Sequence, residues 1–145
     1  MDVTAEELNC FGLTERDVID FFMNFTAVGL WRLDLDSGHK FCSRSYFRLF
    51  GLDYKCGPIN MIELSARIHP EDLDHVMESH EAASVQRLSY QKIHRVTADG
   101  SNYRYICSIG SFREKPGTSG EIVGFAYEVP PHSCEFRSKA QVPSA

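Results

Sequence analysis

Six histidines and five cysteines are the side chains of this sequence best suited to ligate a metal, move a proton or form a covalent bond. The histidines are His39, His69, His75, His80, His94 and His132. Their spacing shows no ligand cluster, so a metal centre is not expected. Haem needs a single axial ligand, usually histidine. His80 is the residue placed for that role, because it continues the stripe Leu73, Val76, Met77 at i, i+3, i+4 and i+7 of a helix. A lone histidine on an apolar face is more often a hydrogen-bonded core residue, so haem through His80 is weighed and not adopted. His75 falls off the stripe and is assigned to solvent. His69 stands just before the helix and is assigned to its cap. The cysteines, at positions 10, 42, 56, 107 and 134, are odd in number and widely spaced, with no Cys-x-x-Cys. They read as free thiols in a reducing compartment, not as a disulfide framework or a zinc site.

No catalytic motif occurs. Gly-x-Ser-x-Gly, His-Glu-x-x-His and Gly-x-x-x-x-Gly-Lys-Ser/Thr are all absent, and the carboxylates are scattered. An active site needs converging groups, so the chain is not read as an enzyme. The net charge of -5 argues against a nucleic-acid surface, which needs clustered Lys and Arg. The 145 residues, 43% of them hydrophobic, suffice for one domain with a core. Asp2, Glu6 and Glu7 open the chain without a basic-then-apolar run, so no signal peptide is expected. No apolar stretch approaches the ~20 residues that span a bilayer. The expected setting is cytoplasmic, which makes Asn24-Phe25-Thr26 a chance match to a glycosylation acceptor.

The elements that would position these side chains centre on Tyr90 to Phe112. Two β-rich runs flank Asp99-Gly100, a hairpin signal because glycine takes φ > 0 freely. Alternation puts Tyr103, Tyr105, Cys107 and Ile109 on one face and Arg104, Ile106, Ser108 and Gly110 on the other. Upstream, residues 1–12 lack pattern and are expected to be frayed. Thr14 is a helix N-cap with Asp17 three residues on, and the helix is expected to stop at Gly29. Val18, Ile19, Phe21, Phe22, Met23 and Phe25 surround that helix with apolar groups, so it must be covered on more than one side. Leu30 to Leu35, the turn Asp36-Ser37-Gly38 and His39 to Cys42 form a first hairpin. Ser43 caps Arg44 to Phe50, Asn60 caps Met61 to Ile68, and Pro70 starts a helix reaching about Val85. A turn at Lys115 to Gly120 leads to a last strand, Glu121 to Val129, and 131–145 reads as a tail or linker. Strands at both ends with helices between them give an α+β fold, one antiparallel sheet with a helical cover.

Five pieces in this order resemble a PAS domain of the sub-type whose fourth helix follows His-Pro-Glu-Asp. They are Gly29-Leu30-Trp31-Arg32-Leu33-Asp34; Ser43 to Phe50 with Gly51-Leu52-Asp53; Arg67-Ile68-His69-Pro70-Glu71-Asp72-Leu73; the Arg95 to Ile106 hairpin; and Gly124-Phe125-Ala126-Tyr127-Glu128-Val129. The likeness covers roughly 28 to 130. The sequence departs from the pattern in placing Asp99-Gly100 one position early and in having Tyr105 where Trp is usual. It also ends on Glu128-Val129-Pro130 where the family often has Asp-Ile-Thr.

The resemblance implies a single five-stranded antiparallel sheet with short helices on one face and an N-terminal helix, residues 13–28, flanking the other. It implies a sensory module that binds a small, mostly apolar molecule in a sheet–helix pocket and regulates an output domain such as a kinase, cyclase or DNA-binding domain. Phe47, Phe50, Met61, Val76, His80, Ile106, Ser108 and Ala126 are the candidate ligand contacts. If Ile106, Ser108, Gly110, Gly124 and Ala126 share a face, that face is small enough to leave a hollow, unless Phe47, Phe50, Met61 or Met77 fills it. Tyr103, Tyr105, Phe125 and Tyr127 would face the N-terminal helix. A homodimer through Val18, Ile19, Phe22, Phe25, Tyr105, Phe125 and Tyr127 is expected. The flavin-binding relatives carry Asn-Cys-Arg-Phe-Leu-Gln, which is absent here, so flavin is not expected. A ligand-free dimerisation scaffold is the alternative.

Overall fold

In chain order the computed structural model, which describes residues 3–130, runs α1 (Ala5–Cys10), α2 (Glu15–Phe25), β1 (Val28–Asp34), β2 (Lys40–Cys42), α3 (Arg44–Leu49), α4 (Met61–Ala66), α5 (Pro70–Gln86), β3 (Tyr90–Thr97), β4 (Tyr103–Arg113) and β5 (Glu121–Val129). The strands form one antiparallel sheet in the order β2-β1-β5-β4-β3, so the first and last strands meet at its centre. The expected tail at 131–145, with His132 and Cys134, lies outside the described residues.

The caps read from the sequence are made. Thr14 and Asp17 form a reciprocal capping box on α2, and Ser43, Asn60 and His69 cap α3, α4 and α5. Pro70 opens α5, and His69 Nδ1 accepts the backbone N–H of Glu71 at 3.1 Å. Several boundaries differ, β1 being Val28–Asp34 and α4 ending at Ala66, and two of the differences concern the N-terminal helices. Residues 1–12 include α1, where Thr4 caps the helix and Leu8 is buried. The second helix ends at Phe25 rather than Gly29, since Thr26 is already extended. Gly29 belongs to β1, where a Cβ would stand 2.5 Å from the Cα of Tyr46. Glycine is needed there for the close approach of α3, not for a helix stop.

The central hairpin keeps its expected facing. Thr97 pairs with Tyr103 across a turn at 98–102, in which Gly100 has φ +83°. Asp99 Oδ1 accepts the backbone N–H groups of Ser101 and Asn102 at 2.9 and 3.0 Å. The early Asp-Gly is thus absorbed in a longer turn, and no register slip follows. Ser108 pairs with Ala126 and Gly110 with Gly124, on the side facing the helices. Cys107 pairs with Tyr127 and Ile109 with Phe125, on the side facing α2.

The core lies between the sheet and α3 to α5. Trp31, Tyr46, Phe50, Leu64, Ile68 and Ile106 are among its buried members. Burying each large apolar side chain contributes roughly 1.5–3 kcal/mol. The α4–α5 junction is pinned to β3. Thr97 N–H donates to Arg67 O at 2.8 Å and His69 N–H to Arg95 O at 2.9 Å. Asp72 then clamps Arg95, accepting its backbone N–H at 2.8 Å and its Nε at 2.9 Å on Oδ2, and an Nη2 bond at 2.8 Å on Oδ1. Those bonds hold the Asp72 carboxyl below the usual carboxylate range. Asp72→Ala is expected to lower the unfolding free energy by about 1.5–3 kcal/mol, because charged hydrogen bonds are lost together with a helix anchor. Urea denaturation measures it; a loss below about 0.5 kcal/mol, the level of an ordinary surface change, would show that other contacts hold α5.

Candidate ligand-binding site

Small residues do line the helix side of the sheet, but they do not leave it empty. A Cβ on Gly110 would lie 2.5 Å from Tyr90 Cε1 and 2.9 Å from Trp31 Cη2. One on Gly124 would lie 2.7 Å from Trp31 Cζ2. The rings of Trp31 and Tyr90 occupy the space the glycines release. What remains is a hollow bounded by β2, α3, α4, α5, β3 and β4. It spans about 480 Å³ between atoms if its solvent-facing mouth is included, yet its free cavity volume is only about 20 Å³. That is room for about one water. A porphyrin or flavin ring does not fit the hollow as folded.

Of the expected contacts, Phe50, Met61, Val76, His80 and Ser108 line this hollow. Phe47, Ile106 and Ala126 do not. Phe47 packs edge-on against Tyr54 at 5.2 Å and is buried in the core. Ile106 and Ala126 are fully buried among core side chains. Leu73, Val76, Met77 and His80 all reach the hollow, as their stripe on α5 predicts.

The side chain the sequence reading missed is Lys40. It is 3% exposed, although it sits on a short edge strand. Its Nζ donates to Tyr46 Oη at 2.8 Å and lies 4.3 Å from the Trp31 ring centre and 4.9 Å from that of Tyr46. Among the described residues it forms no ion pair. Glu121, buried to the same degree, is answered by Arg32 at 3.2 Å and Arg113 at 2.7 Å. Lys40 has ring faces and one phenol instead. Burial pulls its ammonium down to about 8.

Other polar groups surround it without a carboxylate among them. The hollow is lined by Lys40, Lys92, His80, His94, Tyr46 and Tyr90, and by no Asp or Glu. Burial, then the charge of Lys40, pushes His80 down to about 3 and His94 down to about 4, so both are neutral at pH 7. His80 lies against Trp31 and Tyr90 at ring distances of 5.7 and 5.5 Å. Trp31 Nε1, Tyr90 Oη and His94 Nδ1 are buried without a hydrogen-bond partner. Of these, Tyr90 and His94 line the hollow, and buried polar atoms are normally paired, so an occupant there meets groups that it can answer.

On the opposite face, α2 touches the sheet chiefly by an edge-on contact of Phe22 with Phe125 at 5.1 Å, and Phe125 stacks on Tyr127 at 6.1 Å. No residue of α2 is buried. Val18, Ile19 and Phe25 remain exposed, Phe25 at 83%, and so does Tyr105. Tyr103 is not part of this group, because its ring lies 4.8 Å from His69 at the cap of α5.

The uncompensated amine sets a pH dependence. An unfolded Lys titrates near 10.4, and Lys40 in the fold near 8. Between these values the unfolded chain binds more protons, so stability rises with pH across that window and the penalty is complete below it. The titratable groups facing Lys40 are Cys42 on β2, Tyr46 on α3, His80 on α5, and Tyr90, Lys92 and His94 on β3. Lys40→Met is expected to stabilise the ligand-free protein at pH 7 by about 1–3 kcal/mol and to remove the alkaline rise. Parallel denaturant titrations at pH 7 and pH 10 check it; a variant less stable than the parent at pH 7 contradicts the buried-charge account.

No protein-family model and no curated protein matches the sequence. Solved structures do match. A sensory box histidine kinase/response regulator from Burkholderia thailandensis superposes with a TM-score of 0.64 at 20% identity, over 84% of this chain and 92% of that one. The N-terminal domain of a diguanylate cyclase with PAS/PAC sensor from Marinobacter aquaeolei gives 0.60 at 17% identity, over 75% and 98%. The PAS domain from Bordetella pertussis BvgS gives 0.54 at 15% identity, over 87% and 96%. The five-stranded antiparallel sheet and its short helices are the PAS fold.

Proposed function

We propose that this chain is a sensory PAS module of the His-Pro-Glu-Asp sub-type, acting in the cytoplasm. In this reading it takes a small molecule into the hollow, dimerises through α2 and the adjoining sheet face, and regulates an output domain. The observation that carries the sensing half is the buried Lys40 without an ion pair, in a hollow that Tyr90 and His94, with their unpartnered Oη and Nδ1, also line. The exposed apolar side chains of α2 carry the dimer half, since a group of this kind on a small domain is ordinarily covered by a partner. His69, Pro70, Glu71 and Asp72 acting as cap, first helical residue and Arg95 clamp support the sub-type. Free thiols at Cys10, Cys42, Cys56 and Cys107 suit a reducing setting. The reading includes no catalytic step.

The same strands would couple the two halves. On β4, Ser108 faces the hollow while Cys107 and Ile109 face the side of α2. An occupant that prefers one arrangement of α5 and β3 biases the sheet, and the sheet biases the dimer. A kinase or cyclase as output follows by analogy with the proteins that carry similar domains. A ligand-free scaffold is the second reading, favoured by the way Trp31 and Tyr90 fill the space beside Gly110 and Gly124.

Phe22→Glu is expected to convert a dimer to a monomer on size exclusion, at a cost of roughly 2 kcal/mol or more in association. A dimer that survives the change sinks the α2 interface. Native mass spectrometry of freshly purified protein is expected to show an added small-molecule mass. Its absence, with no thermal shift across a metabolite panel, would favour the scaffold.

A further inference from the structure

We propose that the hollow recognises the carboxylate of a small organic acid, with Lys40 as its counter-ion and the apolar wall holding a short tail. This rests on the sensing half of the reading above and names its ligand class.

Lys40 carries one committed bond, to Tyr46 Oη, and has two further N–H groups to give. Tyr90 Oη can donate as well, and His94 Nδ1 donates in one of its two neutral tautomers. A carboxylate is the matching partner, because it accepts on two oxygens and donates nothing. It would also supply the negative charge that the lining lacks. The chain shows what it does when it supplies a counter-charge itself: Glu121 receives two guanidinium groups. Around Lys40 no acid is provided, although the amine is buried equally deeply. A neutral ligand would leave the ammonium unpaired, and a cation would meet Lys40 and Lys92.

The wall decides between an organic acid and an inorganic anion. Phe50, Leu64, Ile68, Leu73 and Val76 are apolar and suit a hydrocarbon tail. The free space is water-sized, so the tail is short and entry needs a side chain to turn. Met61 and Met77 are suited to that, being unbranched with several rotatable bonds. Met77 is half exposed and lies at the solvent side of the hollow.

Trp31 is the single tryptophan, and it lies against Lys40, so its fluorescence and its indole N–H resonance report this site alone. The full chain is titrated at pH 7 with acetate, propionate, butyrate and hexanoate. The matched neutral amides are titrated in parallel, as are chloride and nitrate at equal ionic strength. Short carboxylates are expected to give saturable shifts of both signals, and the amides and inorganic anions none. Lys40→Met is expected to weaken carboxylate binding by on the order of 30-fold or more while keeping a cooperative melt. Amides that bind as well as the acids, or unchanged binding by Lys40→Met, overturn the carboxylate assignment and leave the sensor reading standing. Chloride or nitrate matching the carboxylates overturns it in favour of an inorganic anion. No response to any compound overturns this inference and counts against ligand sensing as well.

Discussion

A protonated amine inside an apolar interior is one of the costlier things a small domain can hold, and Lys40 is held there without a carboxylate. The rest of the site is arranged around that fact. Trp31 and Tyr46 present ring faces to the ammonium, which attract it but replace only part of its hydration. His80 and His94 stay neutral because burial, and after it the charge of Lys40, disfavours their protonated forms. The hollow is therefore short of negative charge and of acceptors at once. Protein cores tolerate few such deficits, and each one calls for a physical explanation.

The fold explains how this enclosure is maintained. Asp72 and the α4–α5 junction fasten the helices to β3, so the roof does not drift away from the sheet. Gly110 and Gly124 let Trp31 and Tyr90 lie flat on the strands, which brings two polar ring atoms into the interior without hydrogen-bond partners. Each strand of the central hairpin presents one side chain to the hollow and the next to the face that α2 covers. Side chains that line the hollow and side chains on the outer face are thus one residue apart along the chain.

Much of this was legible in the sequence, because the signals were local. Thr14, Ser43, Asn60 and Pro70 mark helix starts by a hydrogen bond or a missing donor within their own turn. The alternation in β4 sorted Ser108 from Cys107 correctly, since a pleat has a fixed period of two. The stripe on α5 placed His80, Val76 and Met77 on the side of the hollow for the same kind of reason. The end of α2 was misjudged because glycine has two uses, and at Gly29 close packing against Tyr46 outweighs its role as a helix stop. The filling of the hollow was not legible, because it depends on where two large rings from distant strands come to rest. Lys40 was missed for a related reason. Lysine is ordinarily exposed, β2 is only Lys40–Cys42, and Phe41 points the other way, under the guanidinium of Arg32 at 4.7 Å. Three residues are too few for alternation to override the usual expectation for lysine.

The most direct test of the account is the titration of the Lys40 side chain itself, followed by carbon and nitrogen NMR at its ammonium end in the ligand-free protein. An unperturbed lysine titrates near 10.4. A midpoint near 8 is predicted here, because burial outweighs what the rings, the Tyr46 hydroxyl and Cys42 return to the charge. A midpoint at or above about 10 would mean that Lys40 is hydrated or paired in solution, and the charge-deficient hollow would then not exist.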